Sequence, residues 1–310
     1  MKRGTVLTTA SLFLSLAVNT IGQQRPKIMS LSHLGVYTTD AAKTERFYVH
    51  DLGGVKGGDP ENPAGVRYYF SATQFVEVLP LPAGPASIVR LDHAAFNTSD
   101  AEGMRKYLQS HGIEVPSAAM KGSDGSQYFE VKDPEGNKVQ FVQPPAHPAA
   151  VPQNPLSTRV IHIGYLVHDA AAEDGFYRTL LGFRPYWHGG MKDDVTDWVS
   201  QQLPDGTDWL EYMLVHGPEK TGIPTSMSQE QLGVLDHFSL GVQTQTMQKS
   251  VTMLYEGDRL TGRHSWAQIG RDGKWQFNLY DPDGIRIELM EFQPAGKPCC
   301  SPFLLPSPKE

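Results

Sequence analysis

Two pairs of residues in the second half of the chain have the types and spacing of a metal centre. Glu211 follows His162 by 49 residues, and Glu288 follows His237 by 51. Imidazole and carboxylate are side chains that hold first-row divalent metals, and a carboxylate turned into a protein interior needs a compensating charge. One divalent cation answers both needs, so His162, Glu211, His237 and Glu288 are expected to hold one metal ion. Fe, Ni, Zn, Co and Mn all suit this set, and ligand type does not choose among them. A lone histidine in a strand is more often a hydrogen-bonded structural residue. Here the first half carries two more, His33 and His93, in the same setting.

That setting is an internal repeat. Each histidine lies in a short apolar run: Leu31-Ser32-His33-Leu34-Gly35-Val36, Leu91-Asp92-His93-Ala94-Ala95-Phe96, Val160-Ile161-His162-Ile163-Gly164-Tyr165 and Leu235-Asp236-His237-Phe238-Ser239-Leu240. Asp40, Asp100 and Asp169 follow three of these runs and are expected to cap helices. Gly53 and Gly182 supply helix stops. Further short strands close each repeat, and Asp133-Pro134-Glu135-Gly136 and Asp281-Pro282-Asp283-Gly284 are matching hairpin turns.

Period-2 alternation then sorts the faces. Ile161, Ile163, Tyr165 and Val167 are expected on one face, and His162, Gly164 and Leu166 on the other. Phe238, Leu240 and Val242 oppose His237, Ser239 and Gly241. The histidine face is therefore lined by small residues, which leaves room for a ligand. Trp187-His188-Gly189-Gly190 is read as a loop, and Lys192-Asp193-Asp194 as solvated.

The repeat, the histidine–glutamate intervals and the closing stretch from Leu279 to Leu289 resemble the vicinal oxygen chelate superfamily. That superfamily includes glyoxalase I, extradiol dioxygenases, methylmalonyl-CoA epimerase and bleomycin-resistance proteins. The resemblance covers about Leu31 to Gln293. It implies an α+β fold in which four βαβββ modules pair into two sheet cups, with ligands from the first and last strands of each module. Carried onto the first half, it matches His33, Glu77, His93 and Gln140. Gln140 stands where a carboxylate is usual, so that site is expected to bind metal more weakly or not at all.

The resemblance leaves three activities open. In a glyoxalase-like lyase or isomerase all four donors hold the metal, and Glu211 or Glu288 doubles as the proton-moving base. In an extradiol dioxygenase His162, His237 and Glu288 form a triad; His264 and Tyr280 are the nearest candidates for its acid–base residues. In a non-catalytic, bleomycin-resistance-like protein the cup only binds a small molecule. The substrate of either enzyme would chelate the metal through neighbouring oxygens.

Composition sets the remaining bounds. The chain has 310 residues and a net charge of −7, which argues against a nucleic-acid partner. Lys2 and Arg3 precede an apolar stretch from Val6 to Val18 that is too short to span a bilayer, so residues 1–22 are expected to be a signal peptide cleaved before Gln23. The mature protein is then periplasmic or secreted, without stable membrane insertion. The expected organisation is a first domain at 29–145, a linker at 146–157, a second domain at 158–294 and a loose Pro-rich tail at 295–310, with a softer joint at 217–231. Four modules in one chain can complete two cups, which points to a monomer or loose homodimer. Cys299 and Cys300 are adjacent and cannot staple distant segments; a strained vicinal disulfide, a weak soft-metal contact or an intermolecular contact is open to them.

Overall fold

The computed structural model describes residues 24–82, 91–215 and 235–310. The expected signal peptide and the joint at 217–231 lie outside the described residues.

In the first half the strands are β1 (Ile28–Thr38), β2 (Val55–Gly58), β3 (Val66–Ser71), β4 (Gln74–Pro80), β5 (Leu91–Thr98), β6 (Met120–Lys121), β7 (Gln127–Lys132) and β8 (Lys138–Gln143). In the second they are β9 (Val160–Val167), β10 (Arg184–Gly189), β11 (Trp198–Gln202), β12 (Trp209–Leu214), β13 (Leu235–Val242), β14 (Gln268–Ile269), β15 (Trp275–Tyr280) and β16 (Arg286–Glu291). Each half forms one eight-stranded sheet, in the orders β2-β3-β4-β1-β5-β8-β7-β6 and β10-β11-β12-β9-β13-β16-β15-β14. The histidine strands β1 and β5, and β9 and β13, run antiparallel at the two centres. The α+β fold of four repeated modules is the one expected. Among the described residues no helix is long and apolar enough to cross a membrane.

Local signals account for the elements. Asp40, Asp100 and Asp169 accept hydrogen bonds from the first-turn amides of the helices they open. Gly53 and Gly182 take positive φ where the first and third helices stop, and Gly136 and Gly284 do so in the two hairpin turns. The outer faces of both sheets and their helices share one core, from Leu34, Tyr48 and Phe141 to Tyr165, Tyr177 and Leu289.

The halves are joined by paired hydrogen bonds. Tyr48 of the first half donates to Asp281 of the second, and Tyr177 of the second donates to Asp133 of the first, each at 3.2 Å. Gln74 bonds both backbone groups of Val160, and Asp208 accepts from the Leu31 amide at 3.0 Å. Burial, with Asp283 close by, pushes the Asp281 carboxyl up to about 7 from 3.8. The folded state thus holds that proton more tightly than the unfolded chain. Its stabilising contribution is complete below the unfolded value and lost as pH rises toward about 7. Unfolding in urea is expected to show a stability that falls over this window, by up to about 4 kcal/mol from this group. Asp281→Asn should flatten the slope; an unchanged slope would refute the assignment.

Three expectations need correction. Ile161 leaves the face of Ile163 and Tyr165 and packs with Tyr186, Trp187, Trp209, Met290 and Phe292, because the β9–β13 register shifts between Ser239 and Leu240 and a bulge turns the strand. Trp187 and His188 belong to β10 rather than to a loop. The tail is docked, not loose: Phe303 packs on Tyr186 at 4.9 Å, and Gln202 and Gln293 donate to the carbonyls of Pro306 and Pro308. The segment also donates from the Cys299 and Leu304 amides and the Ser301 hydroxyl to carbonyls of Arg271, Tyr186 and His188, partners that composition does not reveal. Within it Cys299 and Cys300 are disulfide-bonded to each other, so neither sulfur is a thiolate that could join Asp193 beside them in holding a metal.

Candidate metal centre

All four expected donors of the second half converge. His162 and His237, on adjacent central strands, place their Nε2 atoms 2.9 Å apart. A Glu288 carboxylate oxygen lies 3.2 Å from His162 Nε2 and 3.9 Å from His237 Nε2. Glu211 has an oxygen within 4.8 Å of both imidazoles. Ligands held at about 2.1 Å from one ion stand roughly 3–3.5 Å apart; His162–His237 and His162–Glu288 lie near that range, and the other donors need a small inward shift to share one ion.

Register explains the convergence. Glu211 and His237 both pair with Gly164, and Ser239 pairs with both His162 and Glu288. Gly164 has to be glycine: a Cβ there would lie 2.2 Å from Cε1 of His237. Ser200 opposes Glu211 and donates to it at 3.3 Å, and Asn278 opposes Glu288. A cavity of about 380 Å³ opens on Glu211, His237 and Glu288, walled by Trp187, Met191, Trp198, Met290 and Arg271.

The electrostatics suit a cation. Burial holds His162 neutral, well below its usual pKa, with Lys274 and Arg286 adding to the effect. Burial and the neighbouring Glu288 raise Glu211 to about 8. The guanidinium of Arg286 lies 2.7 Å from His237 Nδ1. Arginine only donates, so the ring proton of His237 sits on Nε2, facing His162. For His237 to hold a metal through Nε2 this proton would have to leave, and Nδ1 could take one up only if the Arg286 contact loosened.

Sequence reasoning missed Lys274. It is fully buried, its ammonium 3.3 Å from the Tyr186 hydroxyl and 4.6 Å from the Trp209 ring, which in turn stacks on His162. Burial lowers it to about 8, against the pull of Asp272, Glu288 and Glu211. Its position beside a hairpin turn reads as surface in sequence. His264 is exposed and bonds the Ser265 carbonyl, and Tyr280 stacks under Arg263; neither lines the cavity.

The first half repeats the frame with a different filling. His33 and His93 again place Nε2 atoms 2.9 Å apart, Glu77 lies 3.7 Å from His93, and Gly35 makes room for the His93 ring as Gly164 does for His237. Here Arg67, not serine, opposes the glutamate on the neighbouring strand. Its buried guanidinium lies 3.0 Å from Asp59, 2.6 Å from Glu61 and 3.5 Å from Glu77. Gln140 donates to Glu61 instead of joining the histidines. A resident side-chain cation thus stands beside the donors of the first half, against the glutamate, whereas Arg286 of the second stands against His237. The signal lay in the alternation: in Arg67-Tyr68-Tyr69-Phe70, Arg67 falls on the same face as Tyr69, opposite buried Tyr68 and Phe70.

Residues 30–141 and 159–289, more than half the chain, match the family model described as the glyoxalase/bleomycin resistance protein/dioxygenase superfamily. Among solved structures, homoprotocatechuate 2,3-dioxygenase from Brevibacterium fuscum, in complex with 3,4-dihydroxyphenylacetate, is 18% identical with a TM-score of 0.61, over 86% of this chain and 82% of that one. A room-temperature structure of an extradiol ring-cleaving dioxygenase from B. fuscum is 20% identical with a TM-score of 0.60, over 90% and 75%. A catechol 2,3-dioxygenase is 14% identical with a TM-score of 0.61, over 92% and 96%. At these identities the likeness is one of fold. A comparison with curated proteins found no match.

Proposed function

The chain belongs to the glyoxalase/bleomycin resistance protein/dioxygenase superfamily, and on that premise we propose that it is a divalent-metal-dependent enzyme with its centre in the second half. The reaction is a proton transfer of the lyase or isomerase kind, on a small molecule that chelates through two neighbouring oxygens. The carrying observation is the four-donor set of His162, Glu211, His237 and Glu288, one donor more than a two-histidine, one-carboxylate triad requires. A metal bound there would supply Lewis acidity to the chelated oxygens.

The chain's own residues do the rest. Glu211, partly exposed to the cavity and hydrogen-bonded by Ser200, is the proton carrier. Glu288, more deeply buried and against both imidazoles, stays in place as a donor. Trp187, Trp198 and Met290 keep water from the reacting carbon, and Asn278 offers a neutral hydrogen-bonding group.

The test is exchange of the carbon-bound proton of hydroxyacetone into deuterated water by metal-loaded protein. Glu211→Gln, compared at saturating metal with its content checked by elemental analysis, is expected to slow exchange at least ~100-fold. Equal exchange by the variant would remove Glu211 from the role. Ring cleavage is the second reading, favoured by the fold likeness to two-cup dioxygenases and by the His162–His237–Glu288 subset. Oxygen uptake with catechol, insensitive to Glu211→Gln, would decide for it.

Export to the periplasm or beyond is part of the same proposal. The Cys299–Cys300 disulfide supports it, since disulfides persist in oxidising compartments. Amino-terminal sequencing of the protein from its native host is expected to begin at Gln23; a retained Met1 would refute it.

A further inference from the structure

The two cups differ most at the corner beside the first histidine, and the difference leaves a cavity in the first. In the second half this corner is full. Gly241 lacks a side chain because Phe292 and Ile161 occupy the space: a Cβ there would lie 2.5 Å from the Phe292 ring and 2.8 Å from Ile161. The matching first-half positions are Asn97, Pro144 and Ser32: Ser32 precedes His33 as Ile161 precedes His162, Asn97 follows His93 by the step from His237 to Gly241, and Pro144 follows the helix-capping Gln143 as Phe292 follows Glu291. Smaller or differently shaped side chains there open a cavity of about 410 Å³, a size typical of small-molecule sites. Tyr69, Phe75 and Val142 form its inner wall, and the proline-rich segment from Pro144 to Val151 its outer one.

Two buried polar atoms at this cavity have no hydrogen-bond partner among the described residues. Asn97, 2% exposed, spends its amide hydrogens on Ser30, Leu31 and Thr73, which leaves Oδ1 unpaired. Arg67, also lining the cavity and 2% exposed, has Nε unpaired. An unsatisfied buried acceptor and donor each destabilise the empty cavity, and a ligand with complementary groups recovers that cost. The positive charge of Arg67 is already met by Asp59, Glu61 and Glu77, so a ligand brings no charge to balance. The half-buried Tyr69 ring, 5.0 Å from that of Phe75, offers flat apolar contact, while Phe75 is stacked on His33, lies under Arg67 and presents only its edge.

We propose that the first cup is a metal-independent binding site for a small, uncharged aromatic molecule that carries a hydroxyl group. The hydroxyl donates to Asn97 and accepts from Arg67, and the ring lies against Tyr69, Val142 and the edge of Phe75. The two halves then divide the work: one holds a metal and does chemistry, the other holds an aromatic ligand and needs no metal.

The test is calorimetric titration of the full chain, treated with EDTA, with p-cresol. One equivalent is expected to bind, equally well in Glu211→Gln. Pro144→Phe, which copies the second half, and Ala72→Trp, which fills the cavity from another side, should each weaken binding at least tenfold while the circular dichroism spectrum is kept. Benzoate, an anion of similar size, should bind at least tenfold more weakly than p-cresol. No binding to the EDTA-treated chain would overturn the proposal. So would binding untouched by both filling variants, or lost in Glu211→Gln, which would place the ligand in the second cup.

Discussion

Replacing Arg67 with serine is expected to turn the first cup into one that is stable only when a divalent cation is present. Arg67 is the buried countercharge of Asp59, Glu61 and Glu77. Removing one partner of a buried ion cluster costs about 3–5 kcal/mol, because the remaining charges are left in a poorly solvating interior. In EDTA the Arg67→Ser protein should therefore melt roughly 10 °C below the parent. Serine is also what the second half carries at the matching position, so the variant rebuilds the open frame around His33, His93 and Glu77, with Glu61 in place of the carboxylate that Gln140 lacks. Added Mn or Zn is expected to restore the melting temperature and to raise the bound metal from one equivalent to two. A variant as stable as the parent in EDTA, or one that gains no metal, would show that Arg67 does not stand in for an ion.

His162→Ala should abolish metal binding in the parent chain. His162 is fully buried, held neutral by burial, and bordered by His237, Glu288 and the Trp209 ring. Its imidazole has no substitute among these neighbours, and loss of a ligand should cost more than the ~10–100-fold typical of a supporting residue. Elemental analysis is expected to find one equivalent of metal in the parent and in His33→Ala, and almost none in His162→Ala. Retention by His162→Ala, with loss in His33→Ala, would move the centre to the first half. Reconstitution that fails in the parent would end the enzymatic reading altogether.

The frame of the site was readable because it depends on period and interval. Histidine in each central strand, glycine two residues after His33 and His162, and a glutamate about fifty residues after His162 and His237 are all constraints of register, and register leaves a mark in sequence. The cations beside the site were not readable in the same way. Arg67 and Lys274 both lie over the aromatic ring that stacks on the first histidine, Phe75 in one half and Trp209 in the other, yet they arrive from different strands. Only cross-strand pairing shows that an arginine or a lysine points inward at such a place. Ile161 was misplaced for a related reason: a bulge shifts the alternation by one residue and changes no letter of the sequence. The tail was misjudged because much of its order comes from Tyr186, His188 and Gln202, about a hundred residues away in sequence.

The crossed bonds between the halves carry one further consequence. Each hairpin turn closed by Asp133 or Asp281 relies on a tyrosine from the opposite half, so neither sheet has its full set of hydrogen bonds alone. Local opening of one half must break bonds that belong to the other. Backbone amides on both sides should then exchange with solvent at coordinated rates, and a ligand seated in either cup slows the exchange in both. Occupancy is communicated through shared stability, with no change of shape required.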